Sequence, residues 1–452
     1  MEIAPYVNKT VPFKFNGADL RLDLSHALFS SFDVDRGTKL LLKAAARDPV
    51  LASARSVLDE GCGVGVIGLS VAKAFPEAEV LLRDRDGLAV AFAERNRLAN
   101  RLKGRTVWKD PATGEERTAM PPPSSSWGLI GAGNAEGRFD FVFSNLPAKA
   151  GGPVLASFFA SLTGAGGGVP LLAPGGRAAV VIVEPLAAQA SAWIEEAGLS
   201  VVSRSRGADH VVFVLESAAP CLGDCPASGE AMRPAYPDAP LASLDLRAYH
   251  RAEGRFRLAD VSYRAKGFWG LPEFDTPGFA TAAAAELASR ACAGCLVRDA
   301  LIIDPGVGHF ALWASRVFGP ERVTAASRDL LALAATAANI ADLPAASRPS
   351  YRAIDELGLD RLAESSFDLV VDFSAPVPEL DSSGTAWDRA ARLLKRGGVF
   401  LASRALTEMA RLERRRPSGS AQSGPSGAPA PAWSALGRKR KKGLVAAAWR
   451  RA

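Results

Sequence analysis

SVLDEGCGVG, from Ser56 to Gly65, is the stretch whose reading decides the fold. A short β-rich run ends on acids, three glycines follow at alternate positions, and a helical pattern begins at once. Glycines so placed let the backbone approach a ligand where a Cβ would clash, and the helix behind them presents its N–H groups. A weaker echo, LIIDPGVGHF, runs from Leu301 to Phe310. Matched residue by residue, the echo sets Asp304 against Asp59, Gly306 and Gly308 against Gly61 and Gly63, and Phe310 against Gly65.

Downstream the agreement continues at a constant offset, 318 − 75 = 243, pairing Phe75 with Phe318, Val80 with Val323, Asp86 with Asp329 and Asn96 with Asn339. Further echoes join Phe139–Val142 to Phe367–Val370, and Leu171–Gly176 to Leu393–Gly398. The chain therefore reads as one unit written twice. Each copy alternates β-rich runs with helical patterns, which predicts α/β architecture: two tandem Rossmann-like domains, each a mostly parallel sheet with helices on both faces. In the first copy the expected strands lie near Ser56–Leu58, Glu79–Leu82, Phe139–Ser144, Arg177–Val183, Leu199–Ser203 and Val211–Leu215. The Pro/Gly/Ala/Ser-rich stretch 217–241 reads as a linker between domains at 1–216 and 242–452. A second tract, 417–431, reads as a low-complexity insert before a last strand at Gly443–Trp449.

With 452 residues, 48% of them hydrophobic, the chain buries a full core in each copy. No apolar run approaches the roughly 18 residues of a membrane span, and the start lacks a secretory pattern, so a cytoplasmic location is expected. From Arg411 to Ala452 there are 11 Lys/Arg and one acid, leaving 54 − 11 = 43 basic and 48 − 1 = 47 acidic residues elsewhere. Such a basic end is either a solvated segment or a source of phosphate attraction, and nucleic acid enters as a partner class on that ground. Five cysteines, an odd number, argue against a disulfide framework. Cys221, Cys225, Cys292 and Cys295 are a conceivable thiolate zinc set, although the spacing favours small residues in two loops, and no metal is assigned.

After the second strand stands Asp84, where such folds place a carboxylate on a ribose. An adenosine-containing cofactor follows, but its kind is left open: Gly63-x-Gly65-x-x-Gly68 with Asp84 also satisfies the dinucleotide fingerprint. The deciding residues are Asp59 before the glycines, Asn96 and Asn100 in the helix after Asp84, and the motif SNLPAKAG, Ser144–Gly151, closing the fourth strand. With Phe29-Ser30 and Asp35-Arg36-Gly37-Thr38-Lys39-Leu40-Leu41-Leu42 ahead of them, they resemble the class I methyltransferases of the ribosomal RNA small-subunit guanine-N2 family, the small-domain methyltransferases. The resemblance covers roughly residues 10–216.

It implies S-adenosylmethionine held by Asp59, Gly61, Cys62, Gly63, Gly65 and Asp84, with Asn134 a candidate adenine contact. It implies Asn145, Leu146 and Pro147 as the catalytic loop, and ribosomal RNA or a ribosomal subunit as partner. An exocyclic amine is a poor nucleophile, so Asn145 Oδ1 and the Leu146 carbonyl would accept its N–H groups and aim the nitrogen, with Pro147 holding the loop. The family reads Asn-Pro-Pro-Phe or -Tyr here, whereas this chain has Asn145-Leu146-Pro147-Ala148 and lacks the stacking aromatic. Phe158 or Phe159 is a possible substitute, and Lys149 a possible phosphate contact. A protein amide, a small-molecule amine, or a non-catalytic RNA-binding role are the alternatives. The second copy, with Phe310 at the third glycine, Ser327 for Asp84 and Phe373-Ser374-Ala375-Pro376 for the loop, reads as degenerate; its His309 reads as structural.

Overall fold

The computed structural model describes residues 3–29, 32–102, 105–109, 116–120, 123–131, 137–165, 168–218, 241, 244–417 and 432–452, with backbone alone at 105–109 and 116–120. The chain forms two compact units, Glu2–Tyr249 and His250–Ala452. Nearly all of the expected linker falls outside the described residues. The division lies after Tyr249 because this side chain is buried in the first unit, its hydroxyl donating to the Ile130 carbonyl at 3.0 Å.

The first unit opens with a hairpin, β1 (Lys9–Phe15) and β2 (Ala18–Leu24), followed by α1 (Arg36–Ala45), α2 (Pro49–Ser53), β3 (Ser56–Glu60), α3 (Val66–Ala74), β4 (Glu79–Asp84) and α4 (Gly87–Ala99). A small pair, β5 (Arg105–Lys109) and β6 (Glu116–Met120), precedes β7 (Ser124–Trp127), β8 (Phe139–Asn145), α5 (Gly152–Thr163), β9 (Leu172–Val183), α6 (Ala187–Glu196), β10 (Leu199–Arg206) and β11 (His210–Ser217). Seven strands share one sheet in the order β10-β11-β9-β8-β3-β4-β7, with β11 antiparallel to both neighbours. Val57, Leu58, Phe141, Val142 and Phe143 are buried because a central parallel strand is covered on both faces.

The second unit repeats this order: β12 (His250–Leu258), β13 (Val261–Phe268), α7 (Phe279–Ala291), β14 (Asp299–Ile303), α8 (His309–Val317), β15 (Arg322–Ser327), α9 (Leu330–Ala341), β16 (Ser350–Asp355), β17 (Phe367–Asp372), α10 (Ser382–Leu393), β18 (Leu394–Ala405), α11 (Leu406–Arg414), β19 (Trp433–Lys441) and β20 (Leu444–Arg451). Its sheet runs β16-β15-β14-β17-β18-β20-β19. Strand for strand this is the first sheet, and the chain is two tandem Rossmann-like folds.

The same staples hold both units. Asn96 accepts from Asp23 N (2.7 Å) and donates to Asp23 O (3.1 Å) and Val64 O (2.9 Å), tying hairpin, helix and glycine turn together. Asn339 does the same with Lys266 N (2.7 Å), Lys266 O (3.0 Å) and Val307 O (2.8 Å). Asp140 Oδ2 accepts from the Arg55 and Ser56 amides, and Asp368 Oδ2 from those of Arg298 and Asp299. Asn96 is thus a structural residue, as is Asn100, whose amide brackets the Arg21 backbone, and neither is evidence for a cofactor.

The register corrects the sequence reading of the turn. From β3 to β14, α3 to α8 and β4 to β15 the shift is 299 − 56 = 309 − 66 = 322 − 79 = 243, without interruption. Gly308 therefore answers Gly65, Gly306 answers Gly63, Asp304 answers Gly61, and Phe310 answers Ile67. Phe310 obstructs no turn; it is 1% exposed and packs on Trp313 and Phe373.

Among the described residues no helix is long and apolar enough to cross a membrane, and no group of three or more His, Cys, Asp or Glu is placed to hold a metal. Cys221 and Cys225 lie outside the described residues. The basic end is built into the sheet: β19 is an edge strand, its Lys439 and Lys441 paired with Glu286 at 2.5 and 2.8 Å and its Arg438 with Glu413 at 3.2 Å. The insert at 417–431 lies, apart from Pro417, outside the described residues.

Candidate cofactor and catalytic site

Chain order reverses at β3: the strands that follow step outward through β4 to β7, and β8 returns to the other side of β3. Ligands in open α/β sheets bind at such a switch point, beyond the carboxyl ends of the strands. There the backbone of Gly61 and Cys62 donates to the Arg83 carbonyl at 2.8 and 3.0 Å, fastening the turn to β4.

The glycines of this turn have separate duties. Gly61 (φ 77°) and Gly63 (φ 55°) need left-handed backbone, and a Cβ on either would meet nothing within 4 Å, so the space above them is open. At Gly65 a Cβ would lie 2.9 Å from Leu69, and at Gly68 2.8 Å from Leu82. Those two glycines serve helix-to-sheet packing, while the first two leave a cradle.

Asp59 lies beneath the turn, wholly buried, with Oδ2 accepting from Gly68 N at 2.7 Å. Its Oδ1 is buried without a hydrogen-bond partner. Burial, followed by repulsion from Asp84 and Glu60, pushes its pKa up to about 7 despite the Gly68 bond. Asp84 sits on the rim, accepting from Gly63 N and Asp86 N, each at 2.9 Å. Cys62 is buried, and desolvation with the neighbouring carboxylates raises its thiol well above the ordinary value. It packs as an uncharged thiol and is no nucleophile. Asn134 lies outside the described residues.

At the end of β8, Asn145 Nδ2 donates to Thr38 Oγ1 at 3.1 Å and reaches Asp35 Oδ1 and Oδ2 at 3.4 and 3.3 Å. A carboxylate only accepts, so the amide nitrogen faces Asp35 and Oδ1 points the other way as an acceptor. Asp35 is itself held as the N-cap of α1, accepting from Thr38 N at 3.0 Å and Thr38 Oγ1 at 2.5 Å. Leu146 is buried and its N–H donates to the Val181 carbonyl at 3.1 Å, while Pro147 and Lys149 are exposed. Phe158 and Phe159 are both 0% exposed and belong to the core, so neither replaces the missing aromatic. Among the described residues the exposed aromatics of this unit are Phe29 and Phe32, 76% and 69% exposed, on the segment leading into Asp35. Phe32 is positioned by an edge contact with His26 and by Lys9, which donates to its carbonyl at 3.1 Å.

Residues 19–120 match the family model "Methyltransferase small domain". Over 83 residues, 18% of its length and 24% of the relative's, the chain is 41% identical to the ribosomal RNA small subunit methyltransferase C of Pseudomonas putida. To the protein of that name from Pasteurella multocida it is 31% identical over 129 residues, 28% of this chain and 32% of the relative. These alignments span about a quarter to a third of the relatives' length. A solved T. thermophilus 16S rRNA N2 methyltransferase, in complex with AdoMet and guanosine, matches 99% of both chains with TM-score 0.62 and 17% identity, a likeness of fold.

Among the described residues the open cradle over Asp59, Glu60 and Arg83 belongs to the first unit, while the second carries buried charge on the neighbouring strand, where Asp372 pairs with Arg404 at 2.8 Å. In the second unit Ile302, Ile303 and Ala326 stand where Asp59, Glu60 and Arg83 stand in the first. Asp304, at φ 54°, fills the place of Gly61 and accepts from Ser327 Oγ, the counterpart of Asp84, at 2.8 Å. His309 is buried, its Nε2–H donating to Glu273 O (2.8 Å) and its Nδ1 accepting from Tyr263 O–H (3.0 Å); burial lowers its pKa, and it is a neutral structural residue.

Proposed function

We propose that the chain is an S-adenosylmethionine-dependent methyltransferase acting on an exocyclic amine of RNA, guanine N2 of small-subunit ribosomal RNA. The observation that carries this reading is the pairing of an open glycine cradle over an unsatisfied carboxylate with an asparagine whose amide nitrogen is already engaged. The cradle of Gly61 and Gly63 accommodates the cofactor backbone-close; Asp84 suits a ribose, and Asp59 Oδ1, once the carboxyl is ionised, is an acceptor suited to an ammonium group, whose charge would draw the raised pKa back down. The cofactor supplies an electrophilic methyl on cationic sulfur, so no metal is needed for a leaving group.

The chain's own part is orientation. Asp35 and Thr38 hold the Asn145 side chain, and its Oδ1 takes an N–H of the acceptor amine. The Leu146 carbonyl, on a loop pinned to Val181, takes the second, so the amine nitrogen is aimed at one direction in space. Phe32 supplies the stacking face that Ala148 does not, and the base is splayed out to meet both. Ribosomal RNA as substrate places the protein in the cytoplasm.

The test is transfer of labelled methyl to unmodified small subunits, large subunits, naked ribosomal RNA and total protein, with Asn145→Ala beside wild type. Label in small-subunit RNA that vanishes in the variant supports the reading. Label that survives ribonuclease sends the acceptor to a protein amide or small amine.

A further inference from the structure

The helix after the fifth parallel strand exists in both units, and its chemistry differs between them. In the first unit it is α6, AAQASAWIEE, with no cation and two acids at its end. In the second it is α11, LTEMARLER, continued by Arg415 and Arg416. Each packs on its own sheet through apolar residues, Trp193 and Ile194 in one and Met409 and Leu412 in the other. The fold therefore needs the helix and not its charge.

Beside α11, the even positions of edge strand β19 add Arg438 and Arg440, and Arg438 reaches Glu413 of the helix. Lysines occupy the odd positions and face Glu286 on the other side of the sheet. One face thus gathers Arg411, Arg414, Arg415, Arg416, Arg438 and Arg440. Against them stand Glu379, Asp381, Asp388, Glu408 and Glu413, leaving 6 − 5 = +1, with the cations unpaired among the described residues concentrated at Arg414, Arg416 and Arg440. Arg411 pairs with Glu408 at 2.7 Å and Arg415 with Asp381 at 2.6 Å, whereas Arg414, Arg416 and Arg440 are exposed and form no ion pair among the described residues. A cleft of about 500 Å³ opens alongside, lined by Arg411, Arg414 and Arg415 together with Glu379, Asp381 and Glu408, and walled by Pro376, Val377 and Pro378, where the loop matching Asn145–Ala148 continues.

We propose that this arginine face of α11 and β19 is an RNA-docking surface, gripping the phosphate backbone of the substrate that the first unit modifies; in naming RNA it rests on the function proposed above. Guanidinium groups present paired planar donors matched to phosphate oxygens, and the paired acids pre-orient two of them at the cleft mouth. Phosphate contacts hold a substrate in place without reading its sequence, which suits a unit that lacks a cofactor cradle.

The test uses the full chain and in vitro transcribed small-subunit ribosomal RNA, with Kd measured from 50 to 200 mM salt. R414Q/R416Q/R440Q is compared with R264Q/R290Q/R316Q, which removes the same charge from exposed positions on the opposite side of the second unit. Each lost phosphate contact lowers the slope of log Kd against log salt by about 0.7–0.9. The expected result is at least about tenfold weaker binding, a slope reduced by about two, a raised KM for RNA with kcat unchanged, and little effect of the control set. Equal affinity in the arginine variant, an equal loss in the control, or competition by polyglutamate as strong as by RNA overturns the proposal. Arginine-dependent RNA binding without methyl transfer to RNA would keep this surface and refute the proposed reaction; transfer with arginine-independent binding would do the reverse.

Discussion

At the carboxyl end of the first parallel strand the two units diverge most. In one, Gly61 leaves space above a floor of Asp59, Glu60 and Arg83; in the other, Asp304 fills that space and leans on Ser327 above Ile302, Ile303 and Ala326. Elsewhere they agree to the hydrogen bond, as Asn96 and Asn339 show. Buried charge is costly to keep, and the two units keep it in different places, as Asp59 and the Glu60–Arg83 pair beneath the open cradle in the first and as the Asp372–Arg404 pair on the neighbouring strand in the second, so the charge under the cradle is a feature of the site and not of the fold.

The largest expected effect breaks the comparison at the proposed catalytic loop. Asn145→Ala lowers kcat/KM for methyl transfer by about 10²–10³, the scale of losing one preorganised polar group at a reacting centre, with cofactor affinity unchanged by calorimetry. The Phe373→Ala change at the matching position of the second unit leaves the rate within about twofold. Next in size, Gly61→Asp imports the side chain that closes the second unit; cofactor Kd rises by about 10²-fold as the side chain fills the cradle, while the positive φ separately costs about 1–3 kcal/mol of folding stability.

A third experiment tests the shared staples. Asn96→Ala and Asn339→Ala each remove three hydrogen bonds, one buried and two part-buried, and destabilise their own unit by a similar amount, about 2–4 kcal/mol in urea unfolding. A large inequality would mean the staples are not equivalent. Smaller still, Phe32→Ala raises KM for RNA by about tenfold, from a stacking contribution of about 1–3 kcal/mol per base, while Phe158→Tyr, in the core, alters stability instead.

The smallest effect is in pH. Asp59 titrates near 7 in the folded protein against 3.8 ordinarily, chiefly from burial, so the folded state binds more protons than the unfolded between those values. Its contribution to stability is therefore full below about pH 4 and is lost as pH rises toward 7. Asp59→Asn keeps an oxygen for Gly68 N and flattens that decline in melting temperature; Ile302→Val, at the matching place, does not. An unchanged slope in Asp59→Asn would show that the carboxyl is not held neutral.

Much of the site was legible because it is local. Strand, acid, glycine spacing and Asp84 lie within 30 residues, and SNLPAKAG announces the end of β8 by itself. Asp35 and Thr38 were visible only as part of a resemblance, and nothing in the string shows that they meet Asn145 across 110 and 107 residues. Residue-by-residue matching of the two turns went astray by two positions because glycine matched glycine whatever its duty; strand register corrected it.

By itself the sequence determined the duplication, the parallel α/β architecture and the place of the cradle, since hydrophobic period and glycine spacing are properties of neighbours along the chain. The tertiary structure alone decided that Asp304 closes the second cradle, that Asn96 is a staple, that Phe158 is core, and that scattered arginines share one face. Those facts depend on which strands lie side by side, and a side chain's partners are set by sheet order, not by distance along the chain.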